Sequence, residues 1–338
     1  MNSKLEQIYN DEWEWLLKED PIFATQVGDS RYNDQLPDYS VDRAFRQQEH
    51  EKSLLHQLTA LGSNLVEEDR LSYDLLMYRT KMAVEGHRFV GFNPAITQLG
   101  GLHHDLPQLP SKTPIRTIEE CRSYLNRLSG CGRAVNQTIE FLDYGLQKEL
   151  VPPRIAVRDV GTQMESLVSY SSEASPFYEG VKDFPSLQKE AVALIQEKVL
   201  PAYSRLHRFW TQKYFPQTRD TVSASDLKNG REWYDHAVRY HTTSDLTAEE
   251  IHEIGKEEVQ RIHSQIKEVM KAANFSGTYP QFAEFLRTDP QFVYDKAEDL
   301  VTGYRDICKR IDPELPKLFG KLPRLPYGVC EIPSFIAP

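Results

Sequence analysis

One amphipathic pattern in the second half of the chain constrains the fold more than any other feature of the sequence. Between positions 248 and 273, apolar residues recur at short steps: Ile251, Ile254, Val259, Ile262, Ile266, Val269 and Met270. At 3.6 residues per turn, this spacing places them on one stripe of a helix. Thr247 and Glu250 stand where a capping box would start that helix. The pattern predicts a helix from about Ala248 to Ala273.

Similar start signals predict helices along most of the chain. The Asp20-Pro21 pair offers an N-cap followed by a proline at the first helical position. Ser40 can cap a long helix, and Thr117 with Glu120 forms a second candidate capping box. We therefore expect an all-α, multi-helix fold with at most short β-strands. Residues 1–338 read as one helical region, within which residues 1–110 and 111–338 can form sub-lobes.

Proline and glycine mark the expected interruptions. Residues 91–114 contain four prolines and two adjacent glycines, so we predict a long irregular connection there. Pro201 must kink or divide the helical stretch 187–215, because proline removes an amide and clashes with the preceding turn. The segments VPPRIAV at 151–157 and YGVCEI at 327–332 are the strand candidates.

Composition limits the partners and the compartment. A chain of 338 residues that is 40% hydrophobic and 27% charged can bury a substantial core. Its net charge of -10 argues against a nucleic-acid partner, because phosphate binding needs clustered Lys and Arg. Acidic residues interrupt the first 20 positions, and no apolar run is long enough to cross a membrane. We expect a cytoplasmic protein without a membrane partner. Its cysteines, Cys121, Cys131, Cys308 and Cys330, are expected to be free thiols.

Five segments of the sequence resemble one known family. They read LPDYS, GGLHHDLPQLP, VPPRIAVRDVGTQMESL, NGREWYDHAVRYHTTSDLTAEEIHEIGKEEVQRI and LPYGVCEIPSFIAP. They are similar to successive blocks of domain-of-unknown-function family 885, and the GREWY, HTTSDLT and EEIHEIG series is the most specific part. The resemblance covers nearly the whole chain. It implies the fold of a gluzincin-type zinc metallopeptidase, in which helices from both halves wall a deep cleft and an HExxH helix crosses its floor.

The zinc-binding motif of such enzymes is missing from these 338 residues. In HExxH, two histidines bind zinc, the glutamate activates water, and a later carboxylate completes the ligands. The nearest match, HEIGK at 252–256, places Lys256 where the second histidine should stand, and its positive charge would repel the metal. We assign no catalytic residue, metal ligand or cofactor to this chain, and expect zinc only where a further C-terminal part is present. The resemblance implies the N-terminal portion of a zinc-dependent peptidase that is inactive by itself.

Four residues are candidates for lining a cleft that receives a peptide substrate. His103 and His104 lie in the glycine- and proline-rich connection, and loops of this kind often carry binding residues. Arg231 could bind a peptide carboxylate, and Tyr234 could pack its ring on substrate. The plain alternatives are a solvated loop and an ordinary helix surface. For the whole chain, the alternative function is a non-catalytic helical binding or scaffold module.

The proposed cap of the 248–273 helix gives a first prediction. Replacing Thr247 with alanine removes the hydroxyl that accepts from the first helical turn, so we expect the free energy of unfolding to fall by about 1 kcal/mol. Urea denaturation followed by circular dichroism would measure the change. An unchanged midpoint would show that Thr247 does not cap this helix.

Overall fold

Helices form nearly all of the regular structure in the computed structural model, which describes residues 3–62, 65–91 and 95–331. The fold is all-α, as predicted, with one two-stranded antiparallel sheet among the described residues. Two compact units divide between Thr247 and Ala248, and the sub-lobes 1–110 and 111–338 stay a prediction. No helix in the described ranges has the length and apolar character needed to span a bilayer.

The first unit contains twelve α-helices and the two short strands among its described residues. Its helices are α1 (Ser3–Glu19), α2 (Pro21–Gln26), α3 (Val41–Leu61), α4 (Glu67–Gly86), α5 (Leu102–Asp105), α6 (Leu109–Lys112), α7 (Ile118–Ser129), α8 (Cys131–Gln147), α9 (Val160–Val168), α10 (Pro185–Leu194), α11 (Leu200–Phe209) and α12 (Gly230–Thr242). The strands are β1 (Ile96–Thr97) and β2 (Gly100–Gly101). The second unit contains α13 (Ala248–Ala272), α14 (Tyr279–Thr288), α15 (Ala297–Ile311) and α16 (Leu315–Leu318).

Helix starts follow the capping signals in the sequence. The Ser40 hydroxyl accepts a hydrogen bond from the Arg43 amide at 3.2 Å, at the start of α3. Thr117 and Glu120 form the predicted capping box of α7, in which each side chain accepts from the other residue's amide at 3.2 and 3.1 Å. Asp20 caps α2. These contacts are local in sequence, so the residues alone specify them.

The 187–215 stretch is interrupted at two places, and at each place a π-helical turn precedes a proline. A wider π-helical turn, Ile195–Val199, separates α10 from α11 just before Leu200-Pro201. A second π-helical turn, Trp210–Tyr214, ends just before Phe215-Pro216. A proline ring clashes with the carbonyl four residues earlier in an α-helix, and the π turn changes the hydrogen-bonding register there. The predicted interruption at Pro201 is therefore confirmed.

Both strand predictions were wrong in the described residues. At 151–157, Arg154–Val157 forms a 3-10 turn, and Pro153 makes only an isolated bridge with Arg219. Residues 327–331 are not a strand, and position 332 lies outside the described residues. Consecutive prolines at 152 and 153 leave that segment without the amides that a strand ladder requires.

The observed strands lie instead in the segment predicted to be irregular. Ile96 pairs with Gly101 and Thr97 with Gly100, so β1 and β2 form a minimal hairpin followed by α5 and α6. Gly101 has a φ of +120°, and a Cβ there would lie 2.7 Å from the Ala95 carbonyl oxygen. Only glycine accepts both conditions. Residues 92–94 of this connection lie outside the described ranges.

Apolar packing in the first unit forms two clusters. The larger joins α7 to α11 around large buried side chains such as Tyr124, Tyr203 and Trp210. The smaller joins α1, α3 and α4 through Leu5, Ile8, Leu54, Leu58, Tyr73 and Leu76. The four cysteines are free thiols, as predicted.

The helix predicted at 248–273 is present as α13, but its apolar stripe is largely exposed. Of its residues only Met270 is buried, while Ile254 and Val259 are 47% and 52% exposed. In the second unit, aromatic side chains contact one another, and the ring centroids of Phe275 and Phe282 lie 5.1 Å apart. The periodicity predicted the helix correctly, but it did not predict that the apolar face would be exposed.

A buried arginine connects the start of the chain to α7. Arg127 is 1% exposed, and its Nη2 donates to the Thr25 hydroxyl at 2.7 Å and to the carbonyl oxygens of Tyr32 at 2.9 Å and Pro21 at 3.3 Å. Burial lowers the pKa of Arg127 to about 10. The guanidinium remains charged at neutral pH, and its Nη2 alone donates to three oxygens from one short segment, while Nε and Nη1 are buried without a hydrogen-bond partner among the described residues.

Removing this donor should destabilise the fold. We expect Arg127→Met to lower the free energy of unfolding by about 2–4 kcal/mol, because buried acceptors lose their partner. Arg70→Met is the matched control, since Arg70 forms an exposed pair with Asp74 and such pairs contribute about 0–1 kcal/mol. Chemical denaturation of both variants measures the difference. Equal losses would mean that the buried contacts of Arg127 contribute no more than a surface pair.

Candidate functional site

A cavity of about 790 Å³ lies in the first unit, between one face each of α3, α4, α8 and α12 and the segment from β2 to α5. This volume is typical of sites that take small molecules or short peptides. Apolar and polar groups share its surface. The aromatic side chains in the lining are Tyr39, Phe89, Phe141, Trp233 and Tyr240.

Helical periodicity explains which residues reach the cavity. From α3 and its cap, the lining takes Ser40, Arg43, Ala44, Gln47, Gln48 and Glu51. From α12 it takes Trp233, His236, Ala237, Tyr240 and His241. Both sets follow three- and four-residue steps, which place side chains on one helix face. Each helix therefore presents one continuous stripe.

Glu51 and His87 form a close pair in the wall. The Nε2 of His87 lies 2.6 Å from a Glu51 carboxylate oxygen, and the Gln47 amide donates to the other oxygen at 2.8 Å. Gln48 donates to the His87 carbonyl at 3.0 Å, which ties the turn after α4 to α3. The His87 Nδ1 is buried and has no hydrogen-bond partner among the described residues.

The other two carboxylates of the lining also accept hydrogen bonds from the chain. Asp38 accepts from the Arg46 guanidinium at 2.6 Å and from the Gln137 amide at 2.7 Å. Asp105 accepts from the Gly101 amide at 3.3 Å and lies 3.2 Å from the His104 imidazole. All three carboxylates of the described lining therefore accept at least one hydrogen bond from the chain.

Arg43 differs from these groups because its Nε donor is not engaged. It is the one Lys or Arg in the lining, as far as the described residues extend. Its Nε lies 3.7 Å from a Glu19 oxygen, which is an ion pair without a hydrogen bond. The Nε is buried and has no hydrogen-bond partner in those same ranges.

His236 packs closely against α4. It is 8% exposed, and its Nε2 lies 2.9 Å from the position that a Cβ on Gly86 would occupy. Its ring stacks at an angle on Phe89, with the centroids 5.5 Å apart. Burial lowers the pKa of His236, with Glu85 opposing the shift and Arg239 adding to it. The imidazole is neutral at pH 7.

The four residues predicted from sequence are close in sequence to residues that line the cavity. They are not themselves in its described lining. His103 is 3% exposed and its Nε2 lies 3.0 Å from the Gln163 side chain, whereas His104 is exposed. Arg231 and Tyr234 lie on exposed positions of α12. Their role in a cleft stays a prediction. Their chain neighbours Leu102, Asp105 and Trp233 do line the cavity.

Sequence reasoning missed the residues that the structure brings together. Arg43 and Glu51 belong to one polar stripe on α3, and its three- and four-residue spacing was readable in the sequence. His87 and His236 carried no such signal, because they come from helices separated by about 150 positions. Only the tertiary fold places them around one space.

The described residues do not fit a zinc site. A catalytic zinc needs about three protein ligands. No group of three His, Cys, Asp or Glu side chains lies close enough to hold a metal ion in the ranges that the structure covers. The Glu51–His87 pair supplies two donors and lacks a third.

The buried imidazole of His236 predicts a pH effect on stability. Its pKa is lower in the folded state than its ordinary value of 6.5, so the unfolded state binds the proton more readily. The stability that depends on a neutral His236 should be fully present above pH 6.5, and it should be lost as the pH drops through the pKa of the folded state. We expect His236→Gln to lose less stability than the unmodified chain between pH 7 and 5. Thermal unfolding at both pH values, with exposed His104→Gln as the control, measures this.

Comparisons with known proteins agree with the helical fold. The sequence matches the profile of a family described as "Bacterial protein of unknown function (DUF885)" over residues 21–338. A crystal structure from Colwellia psychrerythraea, described as a "putative lipoprotein", is similar, with a TM-score of 0.85 and 19% sequence identity. The match covers 99% of this chain and 63% of that chain. At this identity the likeness shows the fold alone. No curated protein matches the sequence significantly.

Proposed function

This chain belongs to the DUF885 family of bacterial proteins of unknown function, and we propose that it binds peptides as part of a zinc-dependent peptide hydrolase. The observation that carries the proposal is the cavity of about 790 Å³ in the first unit, with its mixed lining. The resemblance to gluzincin-type peptidases supplies the substrate class. The cytoplasmic location predicted from the sequence is kept as part of this proposal.

The lining suits a short peptide for two reasons. Met82, Phe89, Phe141 and Trp233 offer apolar surfaces against which peptide side chains can pack. Arg43 offers hydrogen-bond donors for a peptide's polar groups. Sites of this kind combine apolar walls with a small number of oriented polar groups.

Hydrolysis needs ligands that this sequence does not supply. The 338 residues contain no HExxH, and the described side chains provide no group of three metal ligands. The chain spans 63% of the length of its structural neighbour. We propose that this chain binds peptide, and that zinc and bond cleavage depend on residues additional to these 338.

A second candidate is a non-catalytic helical binding module. It is favoured by the location of the cavity, because every described residue that lines it belongs to the first unit. In that case the whole protein would bind peptides without cleaving them.

The 338-residue chain should bind short peptides and leave them intact. We expect saturable binding of fluorescein-labelled Leu- and Phe-rich tripeptides by fluorescence anisotropy, and no cleavage by mass spectrometry after incubation with added zinc. Ala44→Trp should weaken binding by at least about tenfold, because the new side chain fills part of the cavity. Phe45→Trp is the matched control, since Phe45 is 45% exposed and absent from the described lining.

Three outcomes would contradict the proposal. Cleavage that depends on added zinc would overturn the inactivity of this chain. Absence of binding up to about 1 mM peptide would overturn peptide binding. Equal binding by both variants would move the site away from this cavity. Zinc-dependent cleavage by the longer Colwellia protein would favour the hydrolase over the non-catalytic module, and its absence would favour the module.

A further inference from the structure

We propose that Arg43 binds a carboxylate of the ligand, so that the cavity selects peptides with a free C-terminal carboxylate. The inference rests on the proposed peptide-binding function and names the ligand group that the site recognises. The carboxylates of the lining accept internal hydrogen bonds, whereas the Nε of Arg43 has no partner among the described residues.

The engaged acceptors are the three carboxylates of the cavity wall. Asp38, Glu51 and Asp105 each accept at least one hydrogen bond from the chain, at 2.6, 2.8 and 3.3 Å respectively. A cationic ligand group would have to compete with these internal donors. Each carboxylate of the lining is therefore already paired with an internal donor, although the formal charge of the lining is negative.

Arg43 is the opposite case. A guanidinium carries five N–H donors in a planar fork that matches the two oxygens of a carboxylate. The Nε of Arg43 is buried and makes no hydrogen bond in the described ranges, and its ion pair with Glu19 is long, at 3.7 Å. The same Glu19 oxygen also lies 3.9 Å from Arg46, so one carboxylate is shared by two cations. A ligand carboxylate would supply an acceptor for the terminal Nη groups of this guanidinium.

A neighbouring hydroxyl supports the same ligand group. Tyr39 lines the cavity, and burial raises the pKa of its phenol. The phenol therefore keeps its proton at neutral pH and can donate a hydrogen bond. Its hydroxyl makes no hydrogen bond to the rest of the described chain, whereas the backbone amide of Tyr39 donates to Gln137 at 3.2 Å. The Tyr39 hydroxyl is therefore a second hydrogen-bond donor that a ligand could use.

The length of the stripe on α3 sets the size of the ligand. Eight residues separate Arg43 from Glu51, which at 1.5 Å per residue is about 12 Å along the helix. An extended peptide advances about 3.3–3.6 Å per residue. A peptide of about three residues with its carboxylate at Arg43 would reach the Glu51–His87 pair. The apolar walls lie between these two ends for its side chains.

The test compares one peptide in two forms. N-acetyl-Leu-Leu-Leu carries a single charge, its terminal carboxylate, and the corresponding amide carries none. We expect calorimetric titration of the 338-residue chain to show the acid binding at least about tenfold more tightly than the amide, because a charged hydrogen-bonded pair replaces a neutral contact. Arg43→Gln should remove the preference, and Arg43→Lys should keep part of it, since lysine retains the charge without the fork.

Lys52→Gln is the matched control. It removes one positive charge from the same helix, and Lys52 is exposed, pairs with Glu49 and is absent from the described lining. It should retain the full preference for the acid. Circular dichroism shows whether each variant is folded, and the Lys variant decides the question if Arg43→Gln is not.

The outcomes separate this inference from the proposed function. Equal affinity for acid and amide in the unmodified chain would overturn the role of Arg43 and leave peptide binding intact. A preference that survives in Arg43→Gln would place the carboxylate elsewhere and also overturn the inference. If neither peptide binds, both the inference and the proposed peptide binding fall. Displacement of the acid by inorganic phosphate at equal concentration would show a general anion site instead.

Discussion

The buried guanidinium of Arg127 is the contact on which the arrangement of the first unit depends. It gathers a hydroxyl and two carbonyl oxygens from residues 21–32 onto α7, in a place that water does not reach. Unpaired buried oxygens would cost more than the hydrogen bonds themselves contribute. The short segment is therefore held in one position, and it leads directly to Ser40 and α3. The position of the α3 face that lines the cavity therefore depends on this contact.

The opposite wall is connected by an ion pair and a hydrogen bond rather than by a buried charge. Arg239 of α12 pairs with Glu85 of α4, and its carbonyl accepts from the Tyr78 hydroxyl at 3.0 Å. Such partly exposed pairs contribute little stability each, but they set the register between the two helices. With that register, the absence of a side chain on Gly86 gives His236 its room. The shape of the cavity follows from these few contacts.

Features that depend on neighbouring residues were predictable from the sequence, and features that depend on distant ones were not. The caps at Ser40 and Thr117 were confirmed because a hydroxyl and an amide three residues apart meet in any helix start. The hairpin that ends at Gly101 was missed because the prolines around it predict an irregular segment, and its two short strands give no alternating pattern. The same distinction applies to the residues of the candidate site. The stripe on α3 was implicit in helical spacing, whereas the meeting of Glu51 with His87 required the fold.

Net charge and local charge carry different information about this molecule. The chain has a formal charge of -10, which argues against polyanionic partners such as nucleic acid. That total says little about a single site, where the positions of individual donors and acceptors decide which ligand atoms are bound. In the described lining, the three carboxylates accept internal hydrogen bonds, whereas the Nε of Arg43 has no hydrogen-bond partner. The hydrogen-bond capacity left over around a cavity is therefore a better guide to its ligand than the charge of the protein that contains it.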